Sequence, residues 1–157
     1  MKQSVQDGGH GKRMYVHYGH KQFLRQRFNE IKNEGFVKPH GGLWASDVNA
    51  EYGWKQWCET EMYRLCNEEN AFFFELAAGA KVLHIRKQED LERLPRDRPE
   101  FCMLSTTYLD FEALKASGID AIELHLSEDH RLYWRMYGWD CDSILIMNPD
   151  VVCEVTR

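Results

Sequence analysis

A chain of 157 residues with 43% hydrophobic and 13% aromatic side chains can close one compact core but is short for two independent domains. Its 20 basic and 25 acidic side chains leave a formal charge of −5, which excludes a general electrostatic binder of nucleic acid or anionic membrane; only Lys21, Arg25, Arg27 and Lys32 suggest a local basic patch. Five cysteines (Cys58, Cys66, Cys102, Cys141 and Cys153), odd in number and without CxxC spacing, exclude a disulfide framework and a four-ligand zinc site and read as reduced thiols.

Residues 1–12, polar and glycine-rich, predict a flexible arm ahead of a single domain over 13–157. In "RMYVHY" the period of two predicts a strand with Tyr15 and His17 on one face. "KQFLRQRFNEIKNEG" places Leu24, Phe28 and Ile31 at helical spacing with Gly35 as C-cap, so a helix is predicted next. Pro39, Gly41 and Gly42 then turn the chain into a short strand around Leu43 to Ala45. A second helix is predicted from near Glu51, with Trp54, Cys58, Met62 and Leu65 on its apolar side and Trp57 beside them.

"AFFFELA" and "KVLHIR" have strand length and are separated by Ala78, Gly79 and Ala80, which predicts neighbouring strands. "QEDLERLP" reads as a short helix stopped by Pro95, and "DFEALKASG" as a helix with Asp110 as N-cap and Gly118 as C-cap. The strand "AIELHL", a short helix in "SEDHRLYWRMYG", and the strands "SILIM" and "VCEVT" around an Asn148–Asp150 turn complete the chain. Six or seven short strands with unevenly interspersed helices make an α+β domain.

No GxSxG, GxxxxGK or HExxH is present, and no GxGxxG opens a helix after a strand. His17 and His20 have no carboxylate or cysteine at ligand spacing, so no metal site is expected there; His20, His40, His84, His125 and His130 read as surface or structural residues. No apolar run approaches the roughly 18 residues of a membrane span, and the start lacks a signal segment, so a cytoplasmic protein is expected. Asp142, Ile144 and Ile146 share one strand face. If that strand adjoins the first, a histidine and an acid meet across a cleft; otherwise His17 is a core histidine and Asp142 a strand cap.

Three segments carry a resemblance in their order: His17 followed by Tyr18 and Gly19, then "GGLWASDVNAEYGWKQWC", then "DSILIMNPDVV". Over roughly Met14 to Val152 the chain resembles the ADP-ribosyltransferase superfamily, of the histidine-tyrosine-glutamate type represented by diphtheria toxin and the poly(ADP-ribose) polymerases. The resemblance implies a split antiparallel β-sandwich with peripheral helices and NAD in the cleft between its sheets. It implies that His17 bonds the ribose next to nicotinamide, that the Tyr18–Gly19 backbone lies where the amide is gripped, and that Gly42 to Asp47, including Trp44 and Ser46, form the second strand. Trp44 then stands where the family has tyrosine, and Tyr52 or Trp54 supplies a second stacking aromatic, although Trp54, Trp57 and Met62 also fit a packed helix stripe.

Asp142 resembles the catalytic glutamate, one carbon shorter, with Asp140 on the same side by alternation. The proline lies one place further from Asp142 than in the family pattern, which brings Ser143 into the catalytic register with Asp140 or Asp142 beside it. A carboxylate there would stabilise the oxocarbenium-like charge that forms as nicotinamide leaves. The implied activity is an NAD-dependent glycosyltransferase, similar to small bacterial or phage effectors, that moves ADP-ribose to a macromolecular acceptor, a protein before a nucleic acid. The alternatives are a catalytically silent domain that binds a nucleotide or partner, and an NAD glycohydrolase.

Overall fold

The computed structural model describes residues 12–34, 37–61, 66–97 and 106–156. Strands β1 (Met14–Tyr18), β2 (Leu43–Asp47), β3 (Ala71–Leu76), β4 (Val82–Ile85), β5 (Ala121–Leu124), β6 (Ser143–Ile146) and β7 (Val152–Val155) are accompanied by three short helices, α1 (Trp54–Thr60), α2 (Phe111–Ala116) and α3 (Leu132–Arg135). The strands hydrogen-bond in the order β4-β5-β6-β2-β1-β3-β7. Only β4 and β5 run parallel, so the sheet is mixed and the architecture α+β. Among the described residues no helix is long and apolar enough to cross a membrane.

β2 divides its partners. Leu43 to Ala45 pair with Ile146 to Ile144 of β6, whereas only Ser46 and Asp47 pair with Val16 and Tyr15 of β1. Beyond those two pairs β1 and β2 separate, and the opening lies at His17 and Trp44. β1 continues on its other edge with five residue pairs to β3, which anchors it despite the gap.

One face of the sheet packs Ile122, Leu124 and Leu145 against Leu109, Phe111, Leu132, Met136 and Trp139. The other packs Ile144 and Ile146 with Tyr15, Phe72 and Phe74. Every residue of β5 and β6 is buried, which accounts for the unbroken apolar run of "SILIM". Each such Leu or Ile contributes about 1.5–3 kcal/mol by leaving water. The described cysteines, Cys58, Cys66, Cys141 and Cys153, are free, and burial pushes the Cys141 thiol up to about 12.

Local signals placed many elements. Asp110 caps α2 by accepting from the Ala113 amide, and Asn148 accepts from the Asp150 amide in the turn before β7. "QEDLERLP" forms a 3-10 helix over Gln88–Arg93. Three expectations differ. The helix predicted in "KQFLRQRFNEIKNEG" is reduced to a 3-10 turn at Arg25–Arg27, because long-range partners take up the following backbone: Gly42 N–H donates to Asn29 C=O, and Lys32 exchanges both bonds with His40. β3 and β4 are not neighbours; β1 and β7 occupy both edges of β3, and β4 pairs with β5. Nor does β6 adjoin β1, since β2 lies between them. Residues 1–11, Gly35, Met62, Leu65 and Cys102 lie outside the described residues.

The double glycine before β2 is required sterically. Gly41 has φ +80, and a Cβ there would lie 2.2 Å from Glu30 O; at Gly42, with φ +74, it would meet the Leu145 side chain at 2.6 Å. Gly79 has a similar φ, +83, but faces open space. Gly41→Ala is therefore expected to lose about 3 kcal/mol in urea unfolding, against about 1 kcal/mol for Gly79→Ala, where only the backbone conformation is penalised. Equal losses would show that the Gly41 contact yields freely.

Candidate functional site

The gap between β1 and β2 opens into a cleft of about 170 Å³ lined by Val16, His17, Tyr18, Lys38, Trp44, Ala45, Trp54, Trp139 and Ser143. Separation of the strands leaves the Trp44 carbonyl without a ladder partner on the β1 side, and the His17 ring fills that place. Its Nδ1–H donates to Trp44 O at 2.7 Å. A carbonyl only accepts, so neutral His17 carries its proton on Nδ1 and its Nε2 accepts from His20 Nδ1 at 3.0 Å. Phe72, with ring centroids 5.1 Å away, supports the imidazole.

Three tryptophans shape the cleft. Trp44 meets buried Trp139 edge to face at 4.7 Å, and Trp54 stacks on Trp57 at 5.2 Å. Lys38 Nζ lies 5.3 Å from the Trp44 ring centroid and 5.8 Å from that of Trp54, so one ammonium faces two indoles. The same Nζ is 3.8 Å from Asp140 Oδ2. Asp140 has φ 60 and is the only non-glycine residue with positive φ among those described.

The remaining predicted residues separate. Tyr18 lines the cleft, and Gly19, with φ 120, donates its amide to Asn70 O. Ser46 is a buried tie: its Oγ donates to Asp142 O and accepts from the Trp54 amide, both at 2.9 Å, joining β2 to the approach to β6 and the start of α1. Tyr52 contributes its carbonyl to the Asp142 amide and does not line the cleft. Asp142 turns elsewhere. Its Oδ1 accepts from the Ser127 amide at 2.9 Å and its Oδ2 from Ser127 Oγ at 2.6 Å, within a second, polar cleft that includes Arg13, Asp47, Glu123, His125 and Glu128. Ser143 lines both clefts and is the residue of this segment that reaches the one with His17.

A charged cluster sits beside the polar cleft. Glu123, only 4% exposed, is the direct register partner of His84 across the parallel β4/β5 pair, and His125 follows two residues later. Glu123 Oε2 lies 3.1 Å from His84 Nδ1, 3.7 Å from His125 Nε2 and 3.0 Å from Arg13 Nη1, and accepts from Tyr15 OH at 3.4 Å. Burial pushes the Glu123 carboxyl up, but the His84 hydrogen bond and the charges of His125 and Arg13 together outweigh it and hold the group below its ordinary value. Burial lowers His125 more than Glu123 raises it.

Sequence reasoning passed over Lys38, Trp139 and Glu123 and read His84 and His125 as surface or structural residues. The period-two spacing of Glu123 and His125 in "AIELHL" was the available signal, but nothing local announces that His84 pairs beside them. Comparison of the chain with protein-family models, curated proteins and solved structures returns no match.

Because the folded value of Glu123 lies below the unfolded one, its stabilisation is present above the ordinary glutamate range and is lost as pH falls through the folded value. Glu123→Gln is expected to cost about 2 kcal/mol in urea unfolding at pH 7. The difference from the unaltered protein should close only as pH falls through the folded value, which lies below the ordinary glutamate range, because both proteins then carry a neutral group. A pH-independent gap would mean that the cost is packing alone.

Proposed function

We propose that the cleft between β1 and β2 binds NAD with its nicotinamide end toward Trp44 and Trp54, and that the chain is an ADP-ribosyltransferase of the split-sheet type. The observation that carries this reading is the position of Lys38, a positive charge facing two indoles next to His17. The nicotinamide ring of NAD is planar and cationic, and indole faces that hold an ammonium also attract such a ring. Lys38 would move toward Asp140, already 3.8 Å away, as the ring enters. A cleft of 170 Å³ is smaller than the roughly 300–1,000 Å³ of whole-ligand pockets, so only the nicotinamide end would be enclosed.

In this reading His17 presents the edge of its ring that now contacts His20 to the adjacent ribose. Of the two acids, Asp140 is the better placed to reach the oxocarbenium-like charge, since its carboxylate lies 3.8 Å from the ammonium of Lys38, which lines the cleft, whereas Asp142 is turned to Ser127. Asp142, held twice by Ser127, is a positioning residue for the segment that carries Asp140 and Ser143. The acceptor is a macromolecule; the net charge of −5 favours a protein over a nucleic acid. A second reading, NAD bound without turnover, is favoured by Ser143 itself, a hydroxyl where the family pattern has a carboxylate.

Incubation with labelled NAD and a cell lysate separates these readings. Label on a macromolecule is expected; free ADP-ribose alone would identify a glycohydrolase, and NAD binding without turnover the silent domain. Transfer should fall at least about 100-fold in Asp140→Asn and less than about tenfold in Asp142→Asn, with both variants melting cooperatively. His17→Ala should weaken NAD binding in calorimetry. Failure of the unaltered chain to bind NAD would overturn the proposal.

A further inference from the structure

We propose that His84 Nδ1, Glu123 Oε2 and His125 Nε2 form a binding site for a divalent transition metal ion of the zinc type, independent of the NAD reading. All three donor atoms lie within 4.8 Å of one another, and their separations are 3.1, 3.2 and 3.7 Å. Those values average about 3.3 Å. Donors at two corners of a tetrahedron around Zn²⁺, each about 2.0–2.1 Å from the ion, are themselves roughly 3.3–3.4 Å apart. An ion therefore fits among the three atoms with side-chain shifts of only a few tenths of an ångström.

The donor types select the class of ion. Two imidazoles with one carboxylate suit zinc and its transition-metal neighbours, whereas calcium and magnesium require oxygen ligands. The scaffold is rigid where precision is needed, because His84 and Glu123 are register partners on adjacent strands and Glu123 is almost wholly buried. Glu128 Oε1 lies 3.6 Å from His125 Nδ1, so a carboxylate can orient the ring from its far side, a common support for a metal-bound histidine.

Arg13 marks the same oxygen as an anionic point, with Nη1 3.0 Å from Glu123 Oε2. Its side chain is 46% exposed and its Nε is 4.0 Å from Asp47 Oδ2, so the guanidinium can turn to Asp47 when an ion takes over the charge of Glu123. Tyr15 OH remains to donate to the carboxylate. Glu123 and His125 also line the polar cleft of about 190 Å³, where the carboxylates of Asp47, Glu123, Glu128 and Asp142 outnumber the guanidinium groups of Arg13 and Arg86. Three protein ligands leave the fourth position for water on that side, the arrangement of a reactive zinc site with a two-histidine, one-carboxylate set.

The test is calorimetric titration of the chelator-treated, desalted full chain with zinc chloride, together with cobalt(II) absorption spectra. One ion per chain is expected, with a rise in melting temperature and a cobalt spectrum lacking a thiolate charge-transfer band, which excludes the cysteines. His84→Ala and His125→Ala should each weaken zinc at least tenfold. Because His84 also hydrogen-bonds Glu123, its replacement should lower the metal-free melt, and the reading is the zinc-induced rise over the variant's own metal-free melt, which should disappear. Absence of zinc binding, binding unchanged in both variants, or a thiolate band that persists in His84→Ala would overturn the assignment.

Discussion

The separation of β1 from β2 after two residue pairs is the constraint on which the rest of the structure depends. β2 cannot pair fully with both neighbours, because its first half is committed to β6 and its second to β1. A sheet that opens in its middle exposes backbone acceptors, and unpaired buried polar groups are costly. Two side chains meet this demand. His17 occupies the Trp44 carbonyl across the gap, and Ser46 ties the last closed part of β2 to the segment entering β6 and to the start of α1. His17 thus both lines the cleft and bridges its opening, while Ser46 fastens the closed part of β2.

The opening has different chemistry from its surroundings. The cleft is walled by indoles and contains one ammonium, whose charge is balanced by the quadrupoles of Trp44 and Trp54 and by Asp140. The neighbouring polar cleft gathers carboxylates, with Arg13, Arg86 and imidazole nitrogens around them. Ser143 lines both clefts. Alternation along β6 sends Ile144 and Ile146 to one core and Leu145 and Met147 to the other, and the residues just before the strand inherit this division. Asp142 and Ser143 are adjacent in sequence, but of the two only Ser143 also lines the cleft with His17.

Glu123 shows how the fold sustains a buried charge. One carboxylate oxygen is surrounded by an arginine, two imidazoles and a phenol, which together offset the desolvation that burial imposes. These partners come from β1, β4 and the end of β5, strands that are far apart in sequence. Their convergence depends on the parallel β4/β5 pair, whose connection from Arg86 to Asp120 includes α2.

Period-two patterns identified β1 and the strands near the C-terminus, Asp110 and Asn148 announced a cap and a turn, and the polar, glycine-bearing breaks marked where elements end. These features act within a few residues, so the amino-acid sequence by itself determined them. His17, Trp44 and Trp54, which the resemblance named, do line one cleft. Long-range pairing decided the rest. The helical spacing of Leu24, Phe28 and Ile31 lost to backbone bonds with the segment around His40 and Gly42, and β3 and β4, eleven residues apart from Ala71 to Val82, went to different parts of the sheet. The tertiary structure alone turned Asp142 to Ser127, set Lys38 between two tryptophans and brought His84 to Glu123 and His125, because each contact joins segments whose proximity no local pattern encodes.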